Sequence, residues 1–108
     1  MSRKENRLNQ INRIEGKKMF KDAPNTMVIT TKRVINGEAS ILIVFHDEED
    51  GMWQFLDGDD TNEDDAAIVS LAEIERIDST INVISELQLG WVAWREHENA
   101  KWESQVQE

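Results

Sequence analysis

Apolar residues fall in short bursts along this 108-residue chain, and the period of the pattern changes from burst to burst. Met27 to Thr31 is rich in β-branched residues and predicts a first strand. Asn36-Gly37 is a two-residue turn signal, since both positions accept positive φ. Ser40 to Phe45 is apolar on both alternating faces, which predicts a central strand covered on both sides. The acidic turn Asp47-Glu48-Glu49-Asp50-Gly51 follows His46. Met52 to Leu56 then predicts the next strand, antiparallel because the connection is short.

The helical period appears twice. Leu8, Ile11 and Ile14 lie three apart within residues 3–18, which suits one face of a short N-terminal helix or an arm that frays. Pro24 disfavours helix at Ala23 and breaks what precedes it. After a short apolar segment, Ala66 to Val69, the run Ser70-Leu71-Ala72-Glu73 forms a capping box that opens a helix with Leu71, Ile74 and Ile77 on one face. Asp78-Ser79-Thr80 restarts a helix whose buried face is Ile81, Ile84 and Leu87, helped by Val83, and Gly90 stops it. Trp91 to Trp94 predicts the last strand. Residues 96–108 are polar apart from Ala100, Trp102 and Val106, which predicts a frayed tail. The expected fold is α+β. It has a small, mainly antiparallel sheet of about five strands, two short helices between the last strands and a helix at the N-terminus. Residues 1–25 form a basic arm, 26–98 the domain and 99–108 a polar tail.

Charge divides the chain. Residues 1–33 carry nine Lys/Arg and three Asp/Glu, whereas residues 34–108 carry three Lys/Arg and nineteen Asp/Glu, for a net charge of −10. Such a body repels nucleic acid and attracts basic proteins or cations. The cationic arm, with Arg3, Lys4, Arg7, Arg13, Lys17 and Lys18, leaves nucleic-acid contact or self-assembly through that segment as a minor alternative. The chain has no cysteine, so thiolate ligands and nucleophiles are excluded and a cytoplasmic setting is expected. The longest apolar run, Ile41 to Phe45, is too short to span a membrane.

The stretch Met52 to Asp65 concentrates the candidate chemistry. An apolar strand runs into Asp57, Asp59, Asp60, Glu63, Asp64 and Asp65. A solvated acidic loop explains this economically. The sharper reading is a docking surface for a basic partner. The candidate partner-binding set is then Trp53, Asp57, Asp59, Asp60, Glu63, Asp64 and Asp65. A calcium loop begun at Asp57 would place Asn62 where glycine is needed and Ile68 where a bidentate Glu is needed, so no metal or cofactor is assigned. A cation- or small-ligand-binding module remains the alternative. His46 and His97 lack partners at ligand spacing and read as surface residues. No nucleophilic triad or glycine-rich phosphate loop is present, which argues against an enzyme. Core packing is favoured for Trp53 and for one of Trp91 and Trp94. Trp102 either docks back on the domain or meets a partner.

At Trp53-Gln54-Phe55-Leu56-Asp57-Gly58-Asp59-Asp60 the chain resembles a bacterial family with a W-x-F-x-x-G-D-E core, the immunity proteins of polymorphic toxin systems. The acidic stretch Asn62 to Asp65, the segment Ala66 to Val69, the Ser70-Leu71 helix opening and Leu89 to Arg95 fit the places that follow this core in the family. Met27 to Gly37 fits its early strand and glycine turn. The resemblance covers about residues 26–98. Asp60 stands where Glu is usual, and Met52 stands where Gly commonly precedes the Trp. The resemblance implies an α+β domain that binds a cognate toxin and blocks it.

Overall fold

The computed structural model describes residues 19–59 and 63–108. They form an α+β fold on one six-stranded mixed sheet. The strands are β1 (Met27–Thr31), β2 (Ile43–His46), β3 (Trp53–Leu56), β4 (Ala66–Ser70), β5 (Trp91–Trp94) and β6 (Glu103–Val106). Their order across the sheet is β4-β1-β3-β2-β5-β6. Helix α1 (Lys32–Ile35) follows β1, and α2 (Leu71–Ile77) with a 3-10 helix (Ser79–Ile84) joins β4 to β5.

Side-chain alternation sorts the strands into two faces. Val28, Val44, Trp53, Phe55 and Ala93 point to one face, where Phe20, Val34, Leu71, Ile74, Ile81 and Ile84 cover them in a single core cluster. Phe20, expected in the basic arm, meets Trp53 edge-on with ring centroids 4.9 Å apart and lies 6.0 Å from Phe55. The caps are those the sequence predicts. Ser70 Oγ accepts from the Glu73 N–H at 3.1 Å, and an Asp78 carboxylate oxygen accepts from the Thr80 N–H at 3.0 Å. The Glu73 carboxylate pairs forward with Arg76.

Four expectations need correction. The sheet has six strands instead of about five, and although four of its five pairings are antiparallel as expected, β1 pairs with β3 in parallel through Ile29 and Gln54. Ser40 to Phe45 supplies β2 at Ile43–His46, central as expected between β3 and β5, but it is not covered on both sides: Val44 is buried while Ile43 and Phe45 are half-buried. Asn36-Gly37 does not turn a hairpin. Thr31 Oγ1 accepts from the Val34 N–H at 3.2 Å and starts α1; Asn36 closes that helix at φ −82°, and Gly37 leaves it at φ 77°. The polar tail does not fray. Residues 103–106 add β6 to the edge of β5, and the Gln107 side chain donates to the Trp91 carbonyl at 3.0 Å. An edge strand exposed on both faces needs no apolar residues, which is why composition hid it. The predicted N-terminal helix, residues 3–18, lies outside the described residues. Among the described residues, no helix is long and apolar enough to cross a membrane.

Arg95, just past β5, ties the end of the sheet together. Its guanidinium donates to the Ile41 carbonyl at 3.0 Å, Thr80 Oγ1 at 2.9 Å, the Glu98 carbonyl at 2.9 Å and Asp78 Oδ2 at 2.8 Å. It also lies 4.4 Å from the ring centre of Trp102, which docks that tryptophan back on the domain. Replacing one member of a buried charge pair strands the other. Arg95→Met is therefore expected to cost about 3–5 kcal/mol, read from the urea unfolding midpoint.

Candidate docking surface

The acidic stretch after β3 does not act as one outward patch. Asp57 is buried, at 5% exposure, because the chain turns its carboxylate onto Arg33. Arg33 Nε donates to Asp57 Oδ2 at 2.7 Å and Nη2 to Oδ1 at 3.2 Å, a two-pronged pair. Thr31 Oγ1 lies 3.4 Å from Oδ2, and the Asp59 N–H donates to Oδ1 at 3.0 Å across Gly58, whose φ of 87° permits the tight turn. Arg33 Nη1 reaches on to Asp65 Oδ2 at 3.2 Å. The Arg33 guanidinium holds the Asp57 carboxyl below the usual carboxylate range, with burial opposing it and the Asp59 N–H assisting. The arginine is correspondingly raised by Asp57.

Two members of the predicted set thus leave the surface. Asp57 is a structural anchor, and Trp53, at 1% exposure, is core. Its ring stacks on His46 at 3.8 Å, and His46 Nδ1 lies 2.8 Å from the Leu87 carbonyl. His46 is therefore a packed, hydrogen-bonded residue, not the surface histidine expected from the sequence. Asp65 is half-buried against Arg33, while Asp59 and Asp64 are exposed. Glu63 opens a 3-10 turn, Glu63–Asp65, and Asp60 lies outside the described residues.

Asp59 finds new company. It lines a groove of about 580 Å³ with Ala39, Ser40, Leu42, Asp57, Glu96, His97, Glu98 and Asn99. Strands β3 and β5 both run antiparallel to β2, so their ends deliver Asp57–Asp59 and Glu96–Glu98 to the same rim of the sheet. Glu98 accepts from Ser40 Oγ at 2.9 Å. Among the described residues, the lining contains four carboxylates and no Lys or Arg. At the opposite rim, the β2–β3 turn sets Asp47, Glu48, Glu49 and Asp50 beside Glu108 around a second hollow of about 530 Å³.

No family model, no curated protein and no solved structure matches this chain. Among the described residues, no group of three or more His, Cys, Asp or Glu is arranged to hold a metal ion. The site is therefore read from its own chemistry: an anionic rim that can receive ammonium and guanidinium groups.

The Asp57 pair carries a pH signature. Because the folded state lowers this carboxyl, its stabilising effect is present above the unfolded value, about 3.9, and disappears as pH falls through the folded value. Wild type is expected to exceed Asp57→Asn in stability at pH 7. The gap should close below about pH 4, as measured by urea midpoints across that range.

Proposed function

We propose that this protein is a non-catalytic interaction protein, an immunity-type inhibitor that binds a cognate basic toxin through its acidic rim. The observation that carries this reading is the groove at the ends of β3 and β5, where Asp59, Glu96 and Glu98 converge with no lysine or arginine among the described residues of the lining. Of the three Lys/Arg in residues 34–108, Arg95 is buried in the fold and Arg76 is paired with Glu73. The family resemblance supports the same reading; its Trp53-Gln54-Phe55-Leu56 part lies on β3, and its Ser70-Leu71 helix opening at the start of α2. A nuclease is a plausible target, because its active site must hold cations for phosphate; this step is by analogy.

Two measurements test the reading. Expressing the reading frame adjacent to this one in its own genome is expected to arrest growth, and co-expressing this chain to restore it; absence of arrest or of rescue overturns the proposal. With that adjacent protein as the probe, the combined Asp59→Lys, Glu96→Lys and Glu98→Lys changes are expected to slow association about tenfold at low salt. High salt should shrink the difference. An unchanged association rate would show that the rim is not the recognition surface.

A further inference from the structure

The face of the sheet opposite the core carries no helix among the described residues. One register row crosses all six strands on that face: Ile68, Ile29, Gln54, Phe45, Val92 and Gln105. A second row, Leu56, Ile43, Trp94 and, at the β6 edge, Glu103, runs beside it. None of these side chains belongs to the core cluster. Ile68 is 63% exposed, Ile29, Ile43, Phe45, Leu56 and Trp94 are half-buried, and Val92 is buried between them at 8% exposure. The first row contains no charge, and the Gln54 amide donates to Asp47 Oδ2 at 2.6 Å.

We infer that this open apolar face is the centre of a protein-docking surface, and that its occupant is a basic protein with an apolar strip flanked by Lys and Arg. The inference rests on the interaction-protein reading above and adds where the apolar contact lies. Area and charge select the occupant. Five strand spacings by four or five residues make a face of about 24 by 15 Å, roughly 350 Å². A stable interface needs about 800 Å² on each side, so the contact must run over the ends of the strands. Both ends are acidic, with Asp47 to Asp50 at one and Asp59, Glu96 and Glu98 at the other. A second copy would bring like rims together at a sheet spacing of about 10 Å, close to one screening length. The chain's own basic residues 1–18 are the competing occupant, and an adduct formed within one chain is the outcome that would overturn the inference in their favour. Anionic lipid is repelled by the same rims. An apolar, aromatic centre within a charged rim is the ordinary anatomy of a recognition surface.

The test is photo-cross-linking of the full chain in its native cells, with benzoylphenylalanine at position 68 on the open face or at position 83 on the covered layer. Val83 is a fair control because it is 59% exposed. The expected result is an adduct from position 68 but not from 83, and the protein attached is strongly basic. An adduct between two copies of the 12.5 kDa chain, a neutral or acidic protein, equal labelling at both positions or no adduct would each overturn the inference. With the captured basic protein as probe, Phe45→Gln and Ile68→Gln are expected to speed dissociation at least tenfold while leaving association unchanged. Ile68→Gln is the safer variant for folding, checked by near-ultraviolet circular dichroism. If the rim variants slow association but neither face variant alters dissociation, the inference falls and the interaction-protein reading stands. If neither set has an effect, both fall.

Discussion

The described residues offer little helix for the sheet they must cover. A six-stranded sheet spans about 24 Å, and a packed helix covers about 10 Å of it, so closing both faces takes at least four helices. Among the described residues there are segments of four, seven and six residues for the purpose. They suffice for one face. Trp53, Phe55, Val44 and Ala93 are sealed beneath them, while Ile29, Phe45 and Trp94 are left on the other side. The distinction between core and surface is thus set by which parity of each strand the helices can reach.

The second organising feature is the use of two arginines at the end of the sheet. Arg33 gathers Asp57 and Asp65, and Arg95 gathers Asp78 and two backbone carbonyls. Both guanidiniums are turned inward to fasten loops. A fork of fixed donors suits this task better than a lysine ammonium, because each arginine satisfies acceptors from several elements at once. The result is a sheet end fastened by a buried Arg95 and a half-buried Arg33, with rims that remain negative.

Local signals were legible and non-local ones were not. Met27 to Thr31 and the Ser70 and Asp78 caps appear in the structure where their chemistry placed them, because each depends on residues within a few positions; Gly90 does not stop the second helix, a 3-10 helix that ends at Ile84 with Ser85 as its C-cap. Strand order has no such local signature, so the parallel contact of β1 with β3 could not be read. The same gap split the acidic stretch. Asp57 and Asp59 look alike in sequence, yet one faces Arg33, 24 residues upstream, and the other faces Glu96 and Glu98 across β2. The only hint was that two predicted strands, ending at Leu56 and Trp94, are each followed closely by acidic residues. His46 was misread for a related reason, since its stacking on Trp53 depends on the register of the β2–β3 hairpin.

The position of β1 between β4 and β3 also constrains how the chain is made. Both of its sheet neighbours lie downstream of it. As the polypeptide leaves the ribosome, Met27 to Thr31 emerges first and has nothing to pair with until Leu56 has followed, a wait of roughly one to five seconds at ordinary elongation rates. The β2–β3 hairpin can close locally in the meantime and then serve as the template onto which the waiting segment is zipped. Biosynthesis therefore passes through a stage in which a short, uncharged, β-branched stretch is held open beside a finished hairpin.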